Sequence, residues 1–418
     1  MVFFTTVARE RIITALDLGS HKIRVATLLI GRDDELKVIA YGESWTRGVR
    51  RGQLIDAREA VVSIKEAVAA ASRTGNVKIS KIVAGLGGPH FKLMNSRGSI
   101  AVSRADGEIS PDDVNRVLDS ARAVSIPSNR EIVHTIPVVY TVDGEEKIKD
   151  PVGMRGVRLE AEVVLVLGLS PVLRSVRKAV AEAGLELEKI IYTPLASSRA
   201  VLTKKQRELG SAVVDIGAST TSICIWEESD LKHAAVVPVG SSKITDDVAI
   251  GLRVSPEISE KIKTEHGCCL AAGVSRREQV VLADWSNNDA VVPKWELARI
   301  IEARASEILE MVQEEFKKTG QPNFLPAGVV LAGGGARLEG LVDLARKKFK
   351  LPVELGRVRE VKTDFNEIFT ADAATLTGLL LYEYDSEQSQ GERAPAVPAD
   401  AMGGLWHKIK DWLADLVP

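Results

Sequence analysis

The sequence predicts an α/β protein of two related lobes, with a subdomain inserted into the first and an amphipathic segment closing the chain. Three observations predict it. Short β-branched apolar runs alternate with segments of helical period along most of the 418 residues, the pattern of sheets flanked by helices. Two stretches roughly 200 residues apart, "ALDLGSHKIRV" around Asp17 and "VVDIGASTTSICIW" around Asp215, repeat one order: apolar strand, Asp, apolar residue, Gly, small polar residues, second strand. Residues 385–402 are rich in Ser, Gln, Glu, Pro and Ala without apolar periodicity, which reads as a linker before residues 403–418.

The elements follow in order. Residues 12–18 and 22–30 are strands joined through Gly19, a hairpin. Residues 56–72 are Ala-rich at helical spacing and stop before Gly75. Residues 81–84 read as a buried strand. From 85 to about 160 the character changes, with strands at 99–103, 131–135 and 138–142 and one helix at 111–124. Ser110 caps that helix, with Pro111 at its first position and Asp113 at the third, a relative of the capping box. Apolar residues 163–169 precede a helix at 171–183 that Gly184 stops. Residues 211–226 form a second hairpin, 245–267 a partly charged helical stretch, and 295–316 a long amphipathic helix. "PAGVVLAGGGARLEGLVDLARKKF" then reads as strand, glycine run and helix. Residues 10–85 and 162–205 thus build the first lobe around an insert at 86–161. Residues 206–240 and 305–384 build the second, with an outer subdomain at 241–304.

Composition narrows the function. At roughly 100–200 residues per domain, the length holds two to four folded units. A net charge of −2 gives no support for nucleic-acid binding. Cys224, Cys268 and Cys269 form no metal-ligand pattern, and two of them are neighbours, so a reducing cytosol is expected. Residues 1–10 are too short and too soon charged for a secretory signal, and 163–169 fall far below the ~20 residues of a spanning helix. The expectation is a cytoplasmic protein, attached to a membrane only at its surface.

Three segments together point to a bound nucleotide. Asp17 and Asp215 at strand ends can each hold Mg²⁺ through water. Gly19 with Ser20, and Gly217 with Ser219 and Thr220, form turns whose N–H groups can approach phosphate oxygens. Gly333, Gly334 and Gly335, between a strand and a helix, offer bare backbone to a base or ribose. Each alone is more often a tight hairpin or a packing device; their co-occurrence in this order carries the argument. Neither a P-loop nor a G-x-G-x-x-G at a βα turn is present.

This signature resembles the actin, Hsp70 and sugar-kinase superfamily, which implies a two-lobed actin-like ATPase fold with ATP in the cleft. "TPLASSRAVL" and "ADAATLTGLLLY" are similar to its two hinge helices, where Ala196 and Gly378 would permit a close crossing. Within it, "NSRGSIAVS", "IPSNREIVHTIPVVYTVDG", "DPVGMRGVRLEAEVVLV" and "KITDDVAIGLRVSPEISEKIKTEHG" resemble the FtsA family of bacterial cell-division proteins. The resemblance places Asp17 and Asp215 by the metal, Gly19, Ser20 and Gly217 by the phosphates, and Gly333 to Gly335 on the adenosine side. Glu260 and Lys263, one helical turn apart, resemble residues that reach the base or ribose; a solvated charged helix face is the other reading. Ala218 and Ser219 depart from the glycine run of relatives and narrow the room for phosphate. No residue stands out as a hydrolytic base, so weak ATPase activity at most is expected.

At the end of the chain, Leu405, Trp406, Ile409, Trp412, Leu413 and Leu416 form one apolar stripe at helical period, with His407, Lys408, Lys410, Asp411 and Asp415 opposite. Two tryptophans suit a bilayer interface; docking on the protein's own core is the alternative. The resemblance implies a peripheral protein on the cytoplasmic face of the inner membrane at the division site. It implies binding of the C-terminal tail of the tubulin-like FtsZ through 241–304, and of downstream division proteins through 86–161. It also implies protofilaments of the chain itself and contact with inner-membrane lipids. A pilus-assembly actin homologue and a small-molecule kinase of the same superfamily are the competing readings, with an Hsp70-like chaperone behind them.

Overall fold

A computed structural model describes residues 11–31, 34–281, 291–320 and 325–393. The first lobe is built on a six-stranded sheet. Its order is Glu186–Tyr192, Lys81–Leu86, Arg11–Leu18, Lys22–Ile30, Leu36–Trp45 and Lys362–Thr363. The predicted hairpin forms with Asp17 directly opposite Arg24, and Lys81–Leu86 lies parallel to its first strand. Helix Ala57–Gly75 lays Ala60, Val61, Ile64, Ala67 and Ala71 on this sheet. Asp56 caps its start, accepting N–H bonds from Arg58 and Glu59. The left-handed residue that ends it is Asn76, not Gly75, a role a short amide side chain tolerates.

The second lobe repeats the scheme. Its sheet runs Asp230–Val237, Thr221–Glu227, Ser211–Ile216, Val329–Ala332 and Val353–Leu355. Ser211–Ile216 and Thr221–Glu227 pair antiparallel, with Val329–Ala332 parallel to the first. Helices Lys294–Lys317 and Leu341–Phe349 cover one face with Ile301, Ile308, Val312, Phe316 and Phe349. The stretch read as one helix at 245–267 is two, Ser242–Leu252 and Pro256–His266. Arg253 turns left-handed between them, and Ser255 caps the second, whose first residue is Pro256. A Ser-Pro start inside an apolar period was the overlooked stop-and-start signal.

Between the lobes, helix Thr193–Val201 crosses helix Ala374–Arg393 with Ala196 against Gly378. The second helix continues through 385–393, which the sequence reads as linker. Polar groups hold that end: Lys189 to Glu383 at 2.6 Å, Arg199 to Asp385 at 2.5 Å and Gln388 to Asp34 at 3.2 Å. Side chains held by ion pairs leave no apolar period to read. The remaining linker residues and the amphipathic segment 403–418 lie outside the described residues. No helix among the described residues is long and apolar enough to cross a membrane.

The insert carries its own four-stranded antiparallel sheet, ordered Lys92–Ala101, Arg158–Leu169, Arg130–Val142 and Glu145–Ile148. Helix Pro111–Arg122 packs on it through Val114, Val117, Leu118 and Ala121, and the capping box at Ser110 and Asp113 forms in both directions. The two strands expected at 131–135 and 138–142 are one strand. It passes Pro137 at a register shift, the position where a residue without an N–H is tolerated in a sheet.

His134 joins the insert to the first lobe. Its Nε2 accepts the Tyr192 N–H at 3.0 Å, so its proton sits on Nδ1, 3.4 Å from the Tyr382 hydroxyl. Burial, with Lys189 nearby, pushes its pKa down to about 4, so the neutral form is the one that folds. The unfolded chain takes up this proton near pH 6.5 and the folded chain does not. Stability is therefore full above that pH and is lost as pH falls toward 4, by roughly 2–3 kcal/mol. His90, pushed to about 4 by burial and Arg130, adds to the same window. Thermal melts should show His134→Gln losing less stability than the parent between pH 6.5 and pH 4; parallel curves would refute the assignment.

Candidate functional site: the interlobe cleft

A cavity of about 720 Å³ opens between the two hairpins, within the usual ~300–1,000 Å³ of small-molecule sites. All twelve residues read as nucleotide-binding border it: Asp17, Gly19, Ser20, Asp215, Gly217, Ser219, Thr220, Glu260, Lys263, Gly333, Gly334 and Gly335.

Burial lifts the Asp17 carboxyl to about 6 against the pull of Arg24, and Asp215 across the cleft pushes in the same direction. Burial raises Asp215 as well, partly offset by the Thr375 hydroxyl, which donates to its Oδ2 at 2.8 Å. Two acids each held above their ordinary range are short of positive charge. Arg24 supplies some: its Nη1 donates to the Asp372 carbonyl at 2.6 Å and its Nη2 to Asp372 Oδ2 at 2.9 Å. Arg24 thereby ties the first hairpin to the start of the last helix.

The second loop is fixed from behind. Ser241 N–H donates to Gly217 O at 2.8 Å; Ser242 donates to Ala218 O through N–H at 2.8 Å and through its hydroxyl at 2.6 Å. Gly217 N–H closes the turn onto Thr220 O at 2.9 Å. Ser219, where a glycine was expected, crosses the cleft: its hydroxyl donates to Ser20 Oγ at 2.6 Å and accepts Arg51 N–H at 3.0 Å. The side chain expected to narrow a phosphate site thus bridges the two loops.

Glu260 and Lys263 do not form a solvated face. Lys263 is buried and donates to Thr245 Oγ1 at 2.9 Å and to Glu260 Oε2 at 2.6 Å. Burial would raise the Glu260 carboxyl, but the Lys263 ammonium and the Thr245 hydroxyl hold it below its ordinary value. On the third segment, Gly333 has φ 83° and ψ 164°, a region open only to glycine, and its N–H donates to Ala371 O at 2.8 Å. Among the described residues no cluster of three or more His, Cys, Asp or Glu could hold a metal ion, so any cation here would lean on water and ligand oxygens.

Sequence reading missed Arg24, Asp372, Thr375, Ser241 and Ser242. Arg24 carried a signal, a cation inside an otherwise apolar strand; the others reach the cleft only through the tertiary fold.

Two family models match the chain: "SHS2 domain inserted in FTSA" over residues 88–167 and "Cell division protein FtsA" over 212–378. Cell division protein FtsA of Pseudomonas aeruginosa is 34% identical over 387 residues, covering 92% of each chain. That of Escherichia coli K12 is 31% identical, covering 97% of this chain and 98% of its own. Among solved structures, the PilM–PilN type IV pilus biogenesis complex superposes with a TM-score of 0.62 at 16% identity, covering 88% of this chain and 98% of the other. MreB5 of Spiroplasma citri bound to AMPPNP superposes with a TM-score of 0.57 at 13% identity, over 91% and 98%. Likeness at that identity speaks for the actin-like fold alone.

Proposed function

The chain belongs to the FtsA family of actin-like cell-division proteins, and on that premise we propose that it binds ATP with Mg²⁺ between its lobes and tethers FtsZ filaments to the inner membrane. The observation that carries the nucleotide is the convergence of both Asp-Gly hairpins and the glycine run on one cavity. Asp17 and Asp215 would hold a hydrated Mg²⁺, which neutralises phosphate charge when bound. Their raised pKa values support this, because a cation between two under-compensated carboxyls relieves both. Gly19, Ser20, Gly217, Ser219 and Thr220 would line the phosphates, and Glu260, Lys263 and Gly333 to Gly335 the adenosine. ATP would act as a structural and switching ligand that sets lobe closure and hence self-association into protofilaments. Hydrolysis would be weak at most, since Asp215, Asp372 and Glu260 each bind a protein partner within the site.

The outer subdomain, 241–304, would take the FtsZ tail, and the insert would meet later division proteins at the division site. Residues 403–418 would be the anchor. Leu405, Trp406, Ile409, Trp412, Leu413 and Leu416 offer ~1.5–3 kcal/mol each on full burial, before ordering costs. A single such helix is a reversible anchor that self-association strengthens by avidity.

Flotation on liposomes with ATP and Mg²⁺ tests the tether. The full chain should float and carry FtsZ, with at least a ten-fold loss for a chain ending at Met402. If both float alike, the anchor lies elsewhere. If neither floats nor holds FtsZ, the tether reading fails.

A further inference from the structure

The insert touches the second lobe as well as the first. Strand Asp230–Val237, the edge of the second lobe's sheet, lies against Lys92–Ala101 and Arg130–Val142 of the insert. Leu231, Ala234 and Val236 of that edge share one buried cluster with Val164 and Val166 of the insert, and Leu93, Ile136 and Val138 pack on the same cluster. An ion pair closes this seam. Lys149, the residue after strand Glu145–Ile148, donates through Nζ to Asp230 Oδ1 at 2.5 Å and to Val138 O at 3.4 Å. The Asp230 side chain is only 11% exposed, so little water reaches its charge and the lysine is what compensates it; Lys149 itself is half exposed. Neither residue borders the interlobe cavity. Seam and cleft nonetheless depend on one arrangement of the lobes: the structure that brings Lys149 onto Asp230 also brings Ser219 onto Ser20 across the cleft.

We propose that the insert is a strap across both lobes, and that the Lys149–Asp230 pair regulates the nucleotide cleft by holding the lobes where Ser20 and Ser219 face one ligand. The two parts of the seam respond differently to movement. Apolar contact is non-directional and survives a small slide of one face over the other. A hydrogen-bonded ion pair is short-ranged and is lost once its atoms part by about 1 Å. The pair is therefore the part of the seam that a rotation of one lobe against the other would break. Its free energy then adds to the closed arrangement alone and shifts the population toward it. Anything that bound the insert by taking Lys149 from Asp230 would weaken the nucleotide, and the nucleotide would weaken that ligand by the same factor. The effect on affinity rests on reading the cleft as an ATP site; the strap itself does not.

Two measurements on the full chain test it. Isothermal titration with Mg-ATP compares the parent with Lys149→Glu, Asp230→Lys and the two reversals combined. Each single reversal should weaken binding about five-fold, and the combination should return it to within about two-fold of the parent. Lys149→Met, which removes the charge from a half-exposed side chain, should weaken binding about two-fold and serves where a reversal fails to fold. The second measurement needs no nucleotide. Spin labels on Lys65→Cys and Glu257→Cys, exposed positions on helices Ala57–Gly75 and Pro256–His266, report the distance between the lobes, and the native cysteines are buried. The distance distribution should broaden toward longer values in each single reversal and narrow again in the combination. Affinity that ignores the reversals, losses that the combination does not recover, or distances indifferent to them overturn the proposal. A chain whose distances respond as expected but which binds no Mg-ATP would sustain the strap and refute the nucleotide reading.

Discussion

Gly378→Ala should lower the melting temperature by on the order of 3–4 °C, from about 3 kcal/mol of lost stability. The cause lies at the crossing of helices Thr193–Val201 and Ala374–Arg393. A Cβ at Gly378 would stand 1.9 Å from the Ala196 carbonyl oxygen and 2.3 Å from its carbon. Neither atom is the end of a flexible side chain, so the helices must part. Parting them opens an interface that includes the fully buried Leu376, Leu379 and Leu380. Because the obstacle is backbone, Ala196→Gly should not rescue the variant, whereas it would rescue a clash with the Ala196 methyl. A variant that melts with the parent would show that the helices have room, and would undo the argument from close crossing.

Gly333→Ala should weaken ATP binding by on the order of 100-fold, the equivalent of about 3 kcal/mol. A side chain there meets two obstacles. Its φ of 83° with ψ of 164° costs a non-glycine residue ~1–3 kcal/mol. Its Cβ would also lie 2.3 Å from Asp215 Oδ1 and 2.5 Å from Ile216 O, displacing the carboxylate proposed to face the metal. Gly334→Ala is the control. A Cβ there meets only Asp372 Cβ at 3.8 Å, an ordinary contact, so its affinity should stay within a few-fold. Isothermal titration with Mg-ATP compares them; equal losses, or none at Gly333, would mean that this backbone does not shape the nucleotide site.

Much of the fold and the cleft was legible in the sequence, because their signals are local. A strand, an Asp and a Gly within seven residues state both a turn and a charge at its end, and the second copy around Asp215 states that two such units exist. Ser110, Pro111 and Asp113 announce a helix start within four positions. What escaped is what depends on distant partners. Thr375 matters because the last helix begins beside Asp215, and Asp372 because Arg24 reaches it across 348 positions. For Glu260 and Lys263 the spacing left two readings, a cleft pair or a solvated face, because only packing against Thr245 buries Lys263. The helix through 385–393 lacked a readable period because polar bonds, Arg199 to Asp385, Lys189 to Ser386 and Gln388 to Asp34, hold it in place of an apolar stripe.

That helix links several of the parts argued about above. Thr375 in its first turn holds Asp215, Gly378 crosses Ala196 of helix Thr193–Val201, Tyr382 meets His134 of the insert, and its last turns lead to the tail. Its 20 residues make a stiff rod of about 30 Å, so a tilt of about 5° at the first turn moves the far end by about 2–3 Å. A movement of the second lobe that tilted this rod through the Thr375–Asp215 bond would be magnified at its far end, nine residues before the amphipathic segment begins.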